Sequence, residues 1–249
     1  MNGNVIERQE FRDTYSLEAI YRYEYHINGK VKLLTKWVQA RDRETGYEIE
    51  FMTEKEIYNE NGHILLIERY NILYQEKNGL YETITYVYLE NGKLDYVKTT
   101  NLSDTYSIAY YRYDEDGQLK RIETFVDNKM TEYIAFSYYE NGVLKEELLY
   151  SVSFGSQESL KIYDEFGRLS KEIVSSTVTT YLYDQNGRLA EKCEDNPGNR
   201  SVLVTKYEEY HENGEVAKIQ RYFRSREDGT ENNFGSPEYY DEYGYRIIR

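Results

Sequence analysis

The sequence is poor in the residues that most often carry chemistry or cross-links. Its 249 residues include one cysteine, Cys193, and two prolines, Pro197 and Pro237. A single thiol excludes an internal disulfide framework. No apolar run is long enough to cross a bilayer. Both prolines lie in predicted loops, as expected because proline is excluded from central strands.

Catalytic and metal-binding patterns are also missing from the sequence. The three histidines, His26, His63 and His211, are far apart and do not form the clustered ligand set of a zinc site. No Ser-His-Asp or Cys-His set has local support, and no glycine-rich loop precedes a predicted helix. Chance pairs are certain among 45 acidic residues, so none stands out as an acid–base pair. We therefore expect no enzyme activity and no catalytic, cofactor-binding or metal-binding residue.

The charge is strongly negative, yet the composition is that of a folded chain. Thirty-one basic and 45 acidic residues give a net charge of −14. Disorder requires few aromatic residues, whereas this chain has 30 tyrosines and 8 phenylalanines. Direct nucleic-acid binding is not expected, because it depends on neutralising phosphates with basic side chains. Residues 1–10 lack the features of a signal peptide, so we expect a cytoplasmic protein without a membrane partner.

A short phrase recurs nine times along the chain. With its glycine as position 0, tyrosine stands at −4 in every copy, asparagine or aspartate at −1 in seven, and an aliphatic residue at +2 in eight. Such recurrence is typical of repeat proteins. The tyrosines are Tyr25, Tyr58, Tyr88, Tyr113, Tyr138, Tyr163, Tyr183, Tyr210 and Tyr240, and the glycines are Gly29, Gly62, Gly92, Gly117, Gly142, Gly167, Gly187, Gly214 and Gly244.

Two kinds of hairpin turn fit this phrase. A two-residue type I′ turn suits Asn-Gly, but it would put the tyrosine and the aliphatic residue on opposite faces. A type I turn over −3 to 0, with a left-handed glycine as a bulge, also explains aspartate or asparagine at −3. We therefore predict the bulged type I turn, which pairs −4 with +2, as in Tyr113 with Leu119. On the opposite face we expect −5 to pair with +3, as in Ser137 with Lys145.

The spacing of the repeats predicts the fold. Successive glycines lie 20 to 33 residues apart, so each interval holds two strands and a return turn of variable sequence. Regular turns then line one edge and irregular returns, such as residues 127–129, line the other. We predict an all-β fold, a single long antiparallel β-meander of repeated hairpins with about 18 short strands. Such a sheet should twist and curl, with a partly closed shell as the alternative.

The repeats also set the predicted domain boundaries. Residues 1–20 precede the first repeat and carry Val5, Phe11, Leu17 and Ile20 among charges. We predict that they cap the first edge of the sheet, as a short helix or an irregular strand, because exposed edges invite aggregation. Residues 21–249 show no linker and are predicted to form a single repeat domain. Abundant tyrosine suits a thin sheet that is wetted on at least one side.

The repeat phrase resembles two known families. Residues 163–169 and 183–189, Tyr-Asp-Glu-Phe-Gly-Arg-Leu and Tyr-Asp-Gln-Asn-Gly-Arg-Leu, are similar to the YD repeat of Rhs and teneurin-type proteins. Residues 138–144, Tyr-Tyr-Glu-Asn-Gly-Val-Leu, resemble the MORN-variant repeat of bacterial antitoxin-annotated proteins. The first resemblance implies a sheet like the one that winds into a toxin-enclosing shell, and this chain is too short for that shell. The second implies a soluble interaction protein, and neither implies catalytic residues.

One segment departs from the repeat. Residues 223–238 are predicted to form the longest return loop, and long loops are often functional. Its candidate partner-binding residues are Arg224, Arg226, Asn232 and Phe234.

These features favour a non-enzymatic binding module. The leading hypothesis is a repeat protein that grips a basic partner protein, as an immunity, antitoxin or inhibitor protein would, because a repeat scaffold offers an extended surface and the chain is acidic. A first alternative is an acidic decoy of nucleic acid that inhibits a nuclease or a CRISPR effector. A second is a carbohydrate- or surface-binding repeat protein, which the density of tyrosine favours. The sequence sets no oligomeric state.

Overall fold

The computed structural model describes residues 6–11, 17–41, 48–71 and 79–247. The chain divides into two compact units, Met1–Thr131 and Glu132–Arg249. The first unit contains β1 (Ile6–Phe11), β2 (Leu17–Tyr25), β3 (Val31–Arg41), β4 (Glu48–Tyr58), β5 (Ile64–Tyr70), β6 (Leu80–Tyr88), β7 (Leu94–Asn101), β8 (Tyr106–Tyr113) and β9 (Leu119–Val126). β10 (Lys129–Tyr138) begins in the first unit and ends in the second.

The second unit holds the remaining strands. They are β11 (Leu144–Ser151), β12 (Ser156–Tyr163), β13 (Leu169–Val174), β14 (Thr177–Tyr183), β15 (Leu189–Asp195), β16 (Ser201–Tyr210), β17 (Val216–Ser225), β18 (Glu231–Asn233), β19 (Glu238–Tyr240) and β20 (Arg246–Ile247). Every pairing is antiparallel, and nearly all join strands that are consecutive in the chain. The predicted all-β meander is confirmed.

Nine hairpins account for eighteen of the twenty strands. We number them hairpins 1 to 9 in the order of their glycines, from β2–β3 at Gly29 to β19–β20 at Gly244. The two additional strands are β1, which precedes the repeats, and β18, which pairs with the end of β17. The repeats therefore contain the predicted 18 strands, and the two additional strands lie outside them.

All nine repeat turns have the predicted bulged type I geometry. In each, the glycine N–H donates to the carbonyl of position −3 at 2.9–3.0 Å. The N–H of position −3 in turn donates to the carbonyl of position +1 at 2.8–3.0 Å. The glycine φ angles lie between 78° and 89°, in the region that side chains other than glycine rarely adopt. Glycine is therefore required by the backbone of this turn.

The strand pairing confirms one prediction and corrects another. Position −4 lies opposite +2 in all nine hairpins, as Tyr113 opposite Leu119. The expected pairing of −5 with +3 is wrong in eight hairpins, where −5 lies opposite +4 instead. Ser137, for example, is opposite Glu146 and donates its hydroxyl to that carboxylate at 3.1 Å. Position +3 is an unpaired bulge residue, which increases the local twist of the strands.

The return turns are irregular, as predicted. Asp127 and Asn128 both have positive φ, 47° and 65°, as a two-residue type I′ turn requires. Another return closes through an N–H of Asp104 that donates to the carbonyl of Asn101 at 3.1 Å. The predicted return at residues 44–46 lies outside the described residues.

Both ends of the meander are edge strands. Of the predicted cap, residues 6–11 form β1 and residues 17–20 begin β2, and the other residues lie outside the described part. β1 has β2 as its partner and β20 has β19. Among the described strands, β1 and β20 therefore do not pair with each other, and the sheet is not closed into a barrel.

Few of the described side chains are fully buried. The buried residues are Ala19, Ile20, Ile67, Val204, Ile219 and Tyr222, with the polar Ser151, Thr179 and Thr205. Most other strand residues in the described ranges are half-buried. This agrees with the thin, partly wetted sheet that the tyrosine content predicted.

The turn geometry predicts the effect of a side chain at position 0. A Cβ atom at Gly214 would meet no heavy atom within 4 Å, so its substitution tests backbone strain alone. We expect Gly214→Ala to lower the free energy of unfolding by about 1–2 kcal/mol, the penalty of left-handed backbone for an L-residue. Gly214→Asn should lower it less, because asparagine tolerates this conformation. Urea unfolding measures both, and an alanine variant as stable as the parent would contradict the turn assignment.

Candidate functional site

The regular turns form what we call the turn edge of each unit, which comprises positions −4 to +2 of its hairpins. At this edge four of the nine tyrosines at −4 donate their hydroxyls to the +2 carbonyl of the preceding hairpin, whereas Tyr58 and Tyr240 donate to the carboxylates of Glu56 and Glu238. Tyr88 donates to Ile64 at 2.8 Å, and Tyr183 donates to Leu169 at 2.8 Å. Tyr113 and Tyr210 bond in the same way to Leu94 and Leu189. These four tyrosines therefore join neighbouring hairpins.

The rings of these four tyrosines are covered by the +1 side chain of the preceding hairpin. The guanidinium of Arg168 lies 4.5 Å from the ring centre of Tyr183, and that of Arg188 lies 4.7 Å from Tyr210. Lys93 covers Tyr113 at 5.2 Å, and the ring of His63 stacks on Tyr88 at 4.8 Å. Cation–π contacts of this kind contribute about 0.5–1 kcal/mol at exposed sites.

Burial raises the pKa of these tyrosine hydroxyls. Loss of water contact is the main cause for Tyr88, Tyr113, Tyr183 and Tyr210. The hydroxyls consequently stay protonated at neutral pH and remain hydrogen-bond donors.

The turns are closed in two alternative ways. In five hairpins the −3 side chain accepts the N–H of position +1, as Asp184 accepts that of Arg188 at 2.8 Å. In the other four, position −3 is His26, Leu89, Tyr139 or His211, and the −1 asparagine accepts that N–H instead. Those asparagines are Asn28, Asn91, Asn141 and Asn213.

In three of these four hairpins, the −3 and −1 side chains also reach forward to the next turn. His26 and His211 contact the carbonyls of Tyr58 and Tyr240 at 3.0 and 2.9 Å, and Tyr139 donates to the carbonyl of Tyr163 at 2.7 Å. The amides of Asn28, Asn141 and Asn213 donate to the −2 carbonyls of the following hairpins at 2.7, 3.3 and 2.7 Å. Hydrogen bonds to neighbouring turns therefore restrain the turn edge within each unit.

Position −2 carries a row of exposed glutamates that sequence reasoning missed. Seven of the nine copies have glutamate there, and the others have Ile27 and Gln185. The side chains of these glutamates are exposed and make no ion pair within the described ranges. The glutamate row consists of Glu60, Glu90 and Glu115 in the first unit, and Glu140, Glu165, Glu212 and Glu242 in the second. The recurrence of glutamate two residues before the turn glycine was visible in the sequence and could have revealed this row.

The predicted binding segment 223–238 is an extra hairpin rather than a loop. It contains the end of β17, a turn and β18, with Asn232 opposite Phe223. Phe234 packs edge-on against Phe223, with ring centres 5.1 Å apart, and is 55% exposed. The structure therefore brings Asn232 and Phe234 together around Phe223.

The two arginines of this segment are held by carboxylates. Arg224 contacts Glu231 at 3.2 Å and Glu191 at 3.3 Å, and it also donates to the hydroxyl of Tyr222. Although burial opposes its charge, these groups raise the pKa of Arg224. Arg226 pairs with Asp195 and donates to the carbonyl of Asn196 at 2.7 Å. Both arginines serve contacts within the protein, and their proposed partner-binding role stays a prediction.

The only cysteine has no reactive environment. Burial, reinforced by the carboxylate of Glu191, raises the pKa of Cys193 to about 11, so its thiol stays protonated at neutral pH. No group of three or more potential ligands in the described ranges is arranged to hold a metal ion. Nor does that part of the chain contain a helix long and apolar enough to span a membrane.

One family model matches part of the sequence. The MORN repeat variant matches residues 108–127 and 134–151, which lie in hairpins 4 and 5. This match confirms the MORN-variant resemblance for those two hairpins. No curated protein matches the sequence.

Several solved structures match most of the length of this chain. TcdB2-TccC3 without its hypervariable C-terminal region matches 93% of this chain with a TM-score of 0.55 and 13% identity, and this chain covers 15% of that one. The Tc holotoxin pore of Photorhabdus luminescens matches 95% of this chain at 14% identity and a TM-score of 0.38, over 14% of its own chain. A porin-like protein of Bacteroides uniformis matches 93% of both chains at 13% identity, with a TM-score of 0.35. The likeness to TcdB2-TccC3 is one of fold, and the chain spans about one seventh of that protein.

The tyrosine bonds predict a measurable contribution to stability. Tyr183→Phe keeps the ring under Arg168 but removes the donor to the Leu169 carbonyl. We expect the free energy of unfolding to fall by about 0.5–1.5 kcal/mol, the net value of one hydrogen bond. Tyr243→Phe is the matched control, since this tyrosine is 76% exposed and sits at a turn position without that bond. Equal urea unfolding curves for the two variants would contradict the role of the hydroxyl.

Proposed function

We propose that this chain is a non-enzymatic repeat module that binds a basic partner protein through its turn edges. The observation that carries the proposal is the glutamate row, whose seven side chains are exposed and free of ion pairs in the described part of the chain. One particular form of this function is an immunity, antitoxin or inhibitor protein that binds a basic toxin or enzyme through its acidic surface.

The charges of the row are available to a partner. Most other acids beside the turns are already in use, as Asp164 and Asp184 are by Arg168 and Arg188. Unpaired carboxylates of one sign attract a basic surface, accelerate association and disfavour acidic partners. The attraction weakens with salt, because exposed charges are screened over roughly 10 Å at 0.1 M ionic strength.

The turns that carry the glutamate row are preorganised. Within each unit, adjacent glutamates stand on turns that are linked by tyrosine hydroxyls or forward-reaching asparagines. A restrained surface loses less conformational entropy on binding than a mobile loop does. The module would therefore present its carboxylates at fixed positions along each turn edge.

The spacing of the row favours a protein partner over nucleic-acid mimicry. Consecutive hairpins lie two strands apart, so glutamates on consecutive hairpins are separated by roughly 10 Å, and Glu165 and Glu212, with hairpin 7 between them, by roughly 20 Å. Phosphates along one strand of duplex DNA recur about every 3.4 Å of helix axis. The row is much sparser than this pattern, which supports the basic-protein hypothesis over the decoy.

Charge removal along one turn edge tests the proposal. The row variant changes Glu140, Glu165, Glu212 and Glu242 to glutamine, and it is compared with the parent in low-salt capture from the source lysate. We expect one basic protein to be recovered stoichiometrically by the parent and lost in high salt. Its Kd for the row variant should rise roughly tenfold, if each exposed charge contributes about 0.3–0.5 kcal/mol.

A control variant separates local from global charge. Glu24→Gln, Asp95→Asn, Glu132→Gln and Glu227→Gln remove the same number of acids at positions outside the row, and this variant should bind like the parent. Equal weakening by both variants would show that net charge alone acts and would reject the turn edge as the binding surface. Recovery of no basic protein by the parent would reject the proposed function itself.

A further inference from the structure

Eight Asn-Gly pairs occur in the sequence, and six lie in described turns. Asn-Gly is the pair most prone to spontaneous deamidation, because glycine leaves the following backbone nitrogen sterically free to attack the asparagine side chain. The six asparagines are Asn28, Asn61, Asn91, Asn141, Asn186 and Asn213, all at position −1 and all exposed. Sequence and exposure therefore do not distinguish these sites from one another.

Their hydrogen bonds do distinguish them. The side chains of Asn28, Asn141 and Asn213 are held at both ends, since the oxygen accepts the N–H of position +1 and the amide donates to the next turn. Asn91 is held at its oxygen alone, by the N–H of Lys93 at 3.0 Å. Asn61 and Asn186 stand in turns that a −3 residue closes, and their side chains make no hydrogen bond in the described structure.

Asn186 is less restrained than Asn61. The ammonium of Lys30 donates to the backbone carbonyl of Asn61 at 2.7 Å, which hinders the rotation that brings the next backbone nitrogen towards the side chain. Among the described residues, no side chain donates to the carbonyl of Asn186. At Asn186 the reaction must break the turn bond from Gly187 to Asp184, which has a counterpart in every repeat turn.

We propose that Asn186 is a site of spontaneous modification, where the side chain deamidates by reaction with the backbone nitrogen of Gly187. That nitrogen loses its proton and forms a bond to Cγ of Asn186, and the Cγ–Nδ2 bond breaks to release ammonia. Water then adds to one of the two ring carbonyls of the resulting succinimide and cleaves a C–N bond. The products are aspartate and isoaspartate, and each adds one negative charge.

The modification alters the turn edge of the second unit. Asn186 lies in hairpin 7, whose −2 residue is Gln185, between the hairpins of Glu165 and Glu212. The new carboxylate would supply charge in this gap of the glutamate row. Isoaspartate would also lengthen the backbone by one atom and disturb the bond from Gly187 to Asp184. The site is inferred from hydrogen bonding and holds whatever the module binds.

Peptide mass spectrometry of the folded full-length protein tests the proposal. The protein is incubated at mildly alkaline pH, and the fraction of aspartate plus isoaspartate is followed at each of the six sites, with a urea-unfolded sample as reference. Relative to that reference, Asn186 should convert roughly 5- to 30-fold faster than Asn141 and Asn213, the factor expected for one or two lost hydrogen bonds. The same relative rate at all six sites would overturn the inference.

A switch of the closing residue provides the second test. Leu89→Asp places a carboxylate at −3, where it can take over the N–H of Lys93 from Asn91, as Asp184 does for Arg188. Conversion at Asn91 should then approach that at Asn186, with the unfolding midpoint maintained and the other sites unchanged. Unchanged conversion at Asn91 would overturn the inference, and so would faster conversion at all sites, since that indicates loosening of the whole fold.

Discussion

The bulged turn with a left-handed glycine is the constraint on which the rest of the structure depends. It fixes which residue of each strand lies opposite which, and so places tyrosine across from an aliphatic side chain. It also leaves the +2 carbonyl and the +1 side chain where the next hairpin can use them. Tyr183 takes both contacts, one through its hydroxyl with Leu169 and one through its ring with Arg168. A local backbone requirement thereby produces the contact between hairpins.

Stability of this kind is distributed along the chain rather than concentrated in a core. Few of the described side chains are fully buried, and four of the repeat tyrosine rings are covered by neighbours one hairpin away. In repeat proteins each unit depends mainly on its adjacent units. Tyrosine suits such a sheet because its ring packs while its hydroxyl still finds a partner. The changes predicted to matter most are accordingly those at the turns.

Much of this fold could be predicted from the sequence, because each repeat turn is a local structure. The glycine phrase predicts the turn, the −4 to +2 pairing and the hairpin strands. The bulge at +3 was missed, since nothing at Lys145 distinguishes an unpaired strand residue from a paired one. The ion pairs of Arg224 with Glu191 and of Arg226 with Asp195 were also missed, because these partners lie 33 and 31 residues away. Long-range pairs of this kind leave no local pattern.

Two further features, the choice of the turn-closing residue and the glutamate at −2, are visible in the sequence but were not predicted from it. Wherever −3 lacks a carboxylate or a carboxamide, −1 is asparagine. The sequence thus indicates which of the two side chains accepts the N–H of position +1.

The −2 position is more informative about function. Positions −4, −3, 0 and +2 each have a structural role, and −1 or +1 takes one in many turns, whereas a type I turn accepts most residues at −2. Structure alone therefore does not account for glutamate in seven of nine copies.

A requirement for solubility would be met by charges of either sign, and mixed charges are usual on protein surfaces. Lysine and arginine are both absent from the nine −2 positions. When the charged side chains at a position without a structural role all carry charge of the same sign, the expected reason is that the charge interacts with another molecule. A surface of opposite charge would match such a row, which is the reason for proposing the turn edge, rather than the paired arginines of the extra hairpin, as the binding surface.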